Sequence, residues 1–93
     1  MILEIVSPEA KLFSGEVISV TAPGVDGSFQ ILKNHAPIVS ILGKGNVKIE
    51  ASEFKFSKDA AHYFEKDSAN KFNLLIESGT LEMKDNRVII LID

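Results

Sequence analysis

The feature that most constrains this chain is a period-two alternation of apolar and polar residues along most of its length. Asn46–Ala51 shows it cleanly, with Val47 and Ile49 on one face and polar side chains on the other. Because successive side chains of a strand point to opposite faces, this period predicts half-buried β-strands and an all-β protein. The predicted strands are Ile2–Val6, Glu16–Ala22, Ser28–Leu32, Ile38–Leu42, Asn46–Ala51, Glu53–Phe56, Phe72–Ile76, Leu81–Lys84 and Arg87–Ile92.

Turn signals separate these runs at short intervals. Asp85-Asn86 predicts a two-residue hairpin, because both residue types tolerate positive φ. The alternation slips by one residue after Ala51, which predicts a turn or bulge near Ser52. Short strands at this spacing predict a β-sandwich or a small barrel. The other turn signals are Ser7-Pro8, Phe13-Ser14-Gly15, Pro23-Gly24, Asp26-Gly27, Gly43-Lys44-Gly45 and Ser78-Gly79.

One segment, residues 57–67, breaks the pattern. Ser57 or Asp59 would cap a short helix there, whereas Tyr63-Phe64 suits the tip of a long hairpin. Extended strands with a loop are the favoured interpretation, and the helix is the alternative. A chain of 93 residues without repeats or linkers has room for one core, so we predict a single domain over residues 1–93.

Charge and composition exclude several classes of function. The net charge of −3 argues against binding nucleic acid and against docking on anionic lipid, since both need clustered Lys and Arg. Without cysteine, disulfides and thiolate catalysis are excluded. The longest apolar run, Val88–Ile92, is far too short to cross a membrane. We interpret it as a buried core strand, with a sticky edge strand as the alternative.

A search for catalytic groups finds only scattered candidates. His35 and His62 have no second histidine nearby, which argues against a metal site, and we expect His35 to hydrogen-bond backbone or a partner. Turn chemistry explains Asp26-Gly27, whose neighbouring glycines lack the spacing of a phosphate-binding loop. We therefore expect no catalytic residue, metal, cofactor or small-molecule substrate, and predict a binding or structural module.

Ordered motifs from Pro23 to Ile49 add a family resemblance. Pro-Gly at 23–24, Asp-Gly at 26–27, Phe-x-Ile-Leu at 29–32, His-Ala-Pro at 35–37 and Gly-x-Val-x-Ile at 45–49 follow one another. The flanking segments 6–17 and 79–88 agree as well. In order and spacing the motifs resemble the epsilon subunit of rotary ATP synthases, called delta in mitochondria. The likeness covers most of the chain.

The resemblance implies a fold and a mechanical role. The fold is a small β-sandwich of about ten short strands in two packed sheets. The role is that of a non-catalytic rotor subunit that binds the gamma subunit and the c-ring and couples proton or sodium translocation to ATP synthesis. Its place is the foot of the central stalk, at the cytoplasmic face of the bacterial inner membrane.

The resemblance also implies two sets of contact residues. The gamma-facing set is Ser7, His35, Ile38, Ser40 and Leu42. The ring-facing loop is Asp26, Gly27, Ser28, Phe29 and Gln30. Alternation puts Ile38, Ser40 and Leu42 on one face of their strand, opposite Val39 and Ile41, and leaves open which face is core.

The chain departs from the family pattern at several points. Many relatives have glutamate at the position of Ser28 and glycine at that of Asn34, where asparagine accepts left-handed geometry best after glycine. Residues 57–70 are longer than the usual hairpin. Many relatives also continue into a two-helix arm that can inhibit ATP hydrolysis or bind ATP. This sequence stops at Asp93, so we expect neither property from such an arm.

Two further interpretations compete with the rotor subunit. A stand-alone sandwich would bind a small ligand or sugar through His62, Tyr63 and Phe64. A small enzyme would use His35 and Asp26.

Overall fold

The computed structural model describes residues 1–53 and 60–93. Over these ranges strands dominate, which confirms the all-β prediction, and the exception is a one-turn 3₁₀ helix at Ala61–Tyr63. The strands are β1 Ile2–Val6, β2 Lys11–Glu16, β3 Ser19–Gly24, β4 Gly27–Leu32, β5 Ile38–Leu42, β6 Gly45–Glu50, β7 Phe64–Ser68, β8 Lys71–Ile76, β9 Gly79–Lys84 and β10 Arg87–Ile92.

The ten strands form a curled sheet that folds into two layers of five. Sheet I has the order β2-β1-β10-β9-β5, and sheet II has the order β4-β3-β6-β8-β7. The layers are continuous at one pair, where Gly24 of β3 lies beside Leu42 of β5. Among the described pairings, β1–β10 is parallel and the rest are antiparallel. This is the small β-sandwich that the family resemblance implied.

The apolar residues of the alternating pattern form the core of the sandwich. Val47 and Ile49 of β6 are buried, while the residues between them point to solvent. Burying a side chain of this size contributes about 1.5–3 kcal/mol, so such pairs dominate the stability. Phe13 of β2 and Phe64 of β7 meet across the layers, with ring centroids 6.3 Å apart at an interplanar angle of 57°. This contact joins the edge strands of the two sheets.

The turn predictions hold where the residue types demand a particular backbone. Asp85 and Asn86 have φ of 51° and 60°, and the pairing of Lys84 with Arg87 closes the predicted two-residue hairpin. Asn34 is left-handed at φ 63°, as its residue type allows. Beyond β6 the chain bends at Ser52, where the slip in alternation predicted a turn.

One turn region, Phe13-Ser14-Gly15, was predicted wrongly. Phe13-Ser14-Gly15 was expected to be a turn, but these residues lie inside β2. The pairing with β1 shifts between Ile5 and Val6, which inserts an extra residue, so Leu12 and Phe13 are both buried. The bulge hides the alternation that would have revealed the strand. The predicted strand Glu16–Ala22 is accordingly displaced, because β3 begins at Ser19.

The described part of the atypical segment consists of a 3₁₀ turn, Ala61–Tyr63, followed by a strand. After the 3₁₀ turn, residues 64–68 form β7, in agreement with the favoured interpretation. The proposed caps Ser57 and Asp59 lie outside the described residues, as does most of the predicted strand Glu53–Phe56.

The apolar run at the end of the chain lies in the middle of sheet I. β10 pairs with β1 on one side and β9 on the other, and Val88 and Ile90 are buried. The core-strand prediction is therefore confirmed, and the sticky-edge alternative is wrong because both edges are paired. Among the described residues, no helix has the length and apolar character needed to span a membrane.

Candidate partner-binding surface

The two outer faces of the sandwich differ in chemistry. On sheet II one row of paired residues crosses all five strands, and every member is polar or charged. That row is Gln30, Thr21, Lys48, Asn73 and Glu65. Such a row is compatible with solvent without any cover, although Leu75 on the same face is 62% exposed.

Sheet I carries an apolar row on its outer face. Val6, Leu91, Thr80 and Ile41 lie side by side on β1, β10, β9 and β5. Leu91 and Ile41 are exposed although both are large and apolar. Glu4 on the same face makes ion pairs with Arg87 and Lys11, at 2.9 Å and 3.6 Å. Exposed pairs of this kind contribute little to stability, about 0–1 kcal/mol each.

The most exposed apolar side chains of this region lie at the β5 end of the sheet. Val39 and Ile41 of β5 are 77% and 64% exposed, and Val25, in the adjoining β3–β4 turn, is 61% exposed. We call these three residues the β5 patch. All three line the same depression of the surface, and exposed apolar patches mark sites where proteins associate.

Backbone hydrogen bonds fix the β3–β4 turn against β5. The Val25 amide donates to the Ile41 carbonyl at 3.1 Å, and the Gly43 amide donates to the Pro23 carbonyl at 2.8 Å. Pro23 lacks an amide proton but supplies the acceptor that this contact needs. The turn therefore extends the ladder between β3 and β5 and is held by the sandwich.

A groove of about 510 Å³ lies between this turn and β5. It is open to solvent and mostly neutral, with Asp26 as the charged residue among those that line it. The lining residues are Gly24, Val25, Asp26, Gly27, Ser28, Phe29, Val39, Ser40 and Ile41. The groove thus joins the implied ring-facing loop to the implied gamma-facing strand.

The ring-facing set is accessible except for one member. Asp26, Gly27, Ser28 and Gln30 are exposed around the turn. Phe29 is half-buried and packs against the core, so part of its role is structural. Gly27 has φ 129°, a conformation that residues with a Cβ rarely adopt.

The gamma-facing set requires a correction on β5. Leu42 is 1% exposed and belongs to the core, so its side chain cannot reach a partner. Ile38 is half-buried and packs against the core, and Ser40 is half-buried. The outward face of β5 is the other one, which carries Val39 and Ile41. Alternation identified the two faces, but only the packing of the layers decided which is buried.

Ser7 and His35 lie at opposite ends of sheet I, where Ser7 is half-buried and His35 is exposed. Ser7 follows β1 in a turn in which its amide donates to the Ala10 carbonyl at 2.9 Å. His35 lies between β4 and β5, where its amide donates to the Leu32 carbonyl at 3.1 Å and its Nδ1 lies 2.7 Å from the Ala36 carbonyl oxygen. The expectation that His35 contacts backbone is confirmed.

The geometry gives little support to a metal site or to the ligand site predicted at residues 62–64. Among residues 1–53 and 60–93 no cluster of His, Asp and Glu could hold a metal ion. The His62 and Tyr63 rings lie 4.1 Å apart and both are exposed, whereas Phe64 packs against the core. The three aromatic residues of the supposed ligand site therefore do not converge on one cavity.

Comparison with known proteins decides the family. The family model described as the β-sandwich domain of the ATP synthase delta/epsilon chain matches residues 1–93. The chain belongs to this family. Relatives within the delta/epsilon chain family include the ATP synthase epsilon chain of Chlorobium limicola, 40% identical over 96% of this chain and 84% of that protein. The epsilon chain of Chlorobaculum tepidum is 46% identical over 81% of this chain and 86% of its own.

Some longer proteins align with this chain over part of their length. The ATP synthase epsilon chain of Leptospira borgpetersenii is 38% identical over 98% of this chain and 59% of that protein. A chain of the Euglena gracilis mitochondrial ATP synthase has a TM-score of 0.76 at 20% identity, over 99% of this chain and 49% of that one. A chain from the structure of the central stalk and c-ring of the Tetrahymena thermophila mitochondrial ATP synthase has a TM-score of 0.68 at 19% identity. That alignment covers 99% of this chain and 62% of the other. At these identities the likeness establishes the fold.

Proposed function

We propose that this chain is a non-catalytic central-stalk subunit of an F-type ATP synthase. In this role it binds the gamma subunit and the c-ring, and so couples proton or sodium translocation to ATP synthesis. It works at the cytoplasmic face of the bacterial inner membrane, held there by its protein partners. Family membership and the names of the relatives as ATP synthase epsilon chains support this role.

The observation that carries the proposal is the β5 patch beside the groove. Val25, Val39 and Ile41 expose apolar surface next to a turn that hydrogen bonds hold in place. Covering such side chains in an interface removes apolar area from water and stabilises association. The central row on sheet II is polar, and this difference between the two rows supports sheet I as the docking side.

Exposure revises the contact residues on β5. We assign the exposed His35, Val39 and Ile41 and the half-buried Ser7, Ile38 and Ser40 to the gamma subunit, and leave out the buried Leu42. We assign the turn residues Asp26, Gly27 and Ser28, with Gln30, to the c-ring. A packed sandwich is stiff because its interior has little free volume, and a stiff body suits the transmission of torque.

Replacing Val39 and Ile41 together by Asp tests this assignment. The double variant V39D/I41D should bind a coexpressed gamma subunit at least about tenfold more weakly, because it places charge in the buried centre of the interface. The matched control is Leu75→Asp, since Leu75 is 62% exposed on the outer face of sheet II. Affinity is measured by calorimetry, and circular dichroism confirms that both variants are folded.

The outcomes test the rotor function and the β5 patch separately. If the wild-type chain retains neither gamma nor c subunits in a pull-down, the rotor role itself is wrong. If it retains them and V39D/I41D binds as well as wild type, or L75D loses as much, the β5 patch is not the docking side.

A further inference from the structure

The loop that carries His35 is exposed and has few anchors. Every residue from Lys33 to Pro37 is exposed, so burial does not hold this loop in place. Two of its hydrogen bonds are local, from the His35 amide to Leu32 and between the His35 ring and Ala36. Across the described residues, its long-range bond runs from the Asn34 amide to Oδ1 of Asn86, at 3.0 Å.

Asn86 suits its place in the hairpin but is not the usual choice there. It is the second residue of a two-residue turn and has φ 60°, a position where glycine is the usual choice. Asparagine tolerates this conformation less well than glycine, so the turn geometry alone does not explain it. Its half-buried side chain instead accepts a hydrogen bond from the amide of Asn34, which is 52 residues away in the sequence.

The backbone of Asn86 makes a second connection. Its carbonyl accepts a hydrogen bond from the Ile2 amide at 3.1 Å, at the start of β1. One residue thus ties together the β9–β10 hairpin, the first strand and the His35 loop. The core strands β9 and β10 anchor the hairpin. The hydrogen bond that Asn86 accepts from the Asn34 amide therefore ties the loop to the rigid part of the sandwich.

We propose that Asn86 is a positioning residue that holds the His35 loop ready for the gamma subunit. This inference rests on the proposed function, because it assigns the loop to that partner. A loop that is free to move adopts the binding conformation only part of the time, and the apparent affinity falls by that fraction. Removing the Asn86 side chain therefore weakens binding although Asn86 itself need not touch the partner.

The test compares three variants of the full chain. Asn86→Gly keeps the turn and removes the acceptor, while Asn86→Asp keeps an acceptor oxygen in the same place. Asp85→Gly is the matched control, since Asp85 shares the turn, has φ 51° and is exposed. NMR measures the exchange rate of the Asn34 amide with solvent, and calorimetry measures affinity for the gamma subunit.

We expect Asn86→Gly alone to change both readouts. Its Asn34 amide should exchange about tenfold faster and its affinity should fall about tenfold, as for a loop that is competent one tenth of the time. Asn86→Asp and Asp85→Gly should match wild type in both. A merely structural role predicts a lower unfolding temperature instead, with no rescue by Asn86→Asp.

Two results overturn the inference. One is an Asn34 amide that exchanges equally slowly in Asn86→Gly and wild type. The other is faster exchange with unchanged affinity for the gamma subunit. If wild type does not bind the gamma subunit at all, the proposed function fails, and the Asn34 exchange rate still decides whether Asn86 orders the loop.

Discussion

At the scale of the residue, Gly24 shows how tightly the turn region is built. A Cβ atom at this position would lie 2.7 Å from the Gly27 carbonyl oxygen and 2.9 Å from the Phe29 ring. The first of these neighbours is backbone, which cannot rotate away as a long side chain can. Gly24 also forms the backbone pair that joins the two sheets. The glycine is therefore required by close approach rather than by φ.

Gly24→Ala should destabilise the fold by about 1–3 kcal/mol, the usual cost of forcing extra volume into a packed site. Gly43→Ala is the control, because among the described residues its Cβ would meet Cγ1 of Val25 alone, at an ordinary 3.6 Å. The control should stay within about 1 kcal/mol of wild type in either direction. Urea unfolding measures both, and equal stability of the two variants would contradict the close approach.

At the scale of the element, the packing of the two layers decides which face of β5 is buried. Leu42 faces the core beside the junction of the sheets, whereas Ile41 faces outward next to Thr80. One strand thus carries a residue that stabilises the fold and a neighbour whose apolar surface is left uncovered. Two similar aliphatic residues, Ile41 and Leu42, have opposite roles in adjacent positions because side chains alternate across a strand.

Truncating Leu42 should mainly lower stability, whereas truncating Ile41 should mainly weaken binding. Leu42→Ala should lower the free energy of unfolding by about 2–5 kcal/mol, because it leaves a cavity in the core. Ile41→Ala should change it by no more than about 1 kcal/mol and should weaken binding of the gamma subunit. Chemical denaturation and calorimetry measure the two effects. A larger stability loss for Ile41→Ala would reverse the assignment of the faces.

At the scale of the whole molecule, the sandwich is closed by contacts between distant parts of the chain. Phe13 on β2 meets Phe64 on β7, and these strands are the far edges of sheets I and II. At another point Gly24 pairs with Leu42, so the layers are continuous there. The sheets are therefore tied at two separate places, by backbone at one and by aromatic packing at the other.

Removing the aromatic contact should loosen the whole sandwich. Phe64→Ala should lower the free energy of unfolding by about 3 kcal/mol, the lower end of the range for a large aromatic residue that is partly buried. Tyr63→Ala, at an exposed neighbouring position, should cost no more than about 0.5 kcal/mol. Thermal unfolding followed by circular dichroism compares them. Similar losses in the two variants would show that Phe64 does not tie the sheets.

Much of the fold was accessible from the sequence because its signals are local. Alternation gives strands such as β5 and β6, and the residue types at Asp85 and Asn86 give a turn with positive φ. The ordered motifs between positions 23 and 49 give the family without any coordinates. Where a bulge interrupts the alternation, as at Leu12 and Phe13, the local signal fails and the strand is missed.

The sequence by itself determined the all-β class, most strand positions, the hairpin at Asp85-Asn86 and the family. Only the tertiary structure decided that Ile41 rather than Leu42 faces outward, and that the amide of Asn34 meets the side chain of Asn86. The physical reason is that alternation is symmetric between the faces of a strand. Which face is buried, and which loops meet, depends on pairings between residues far apart in the chain.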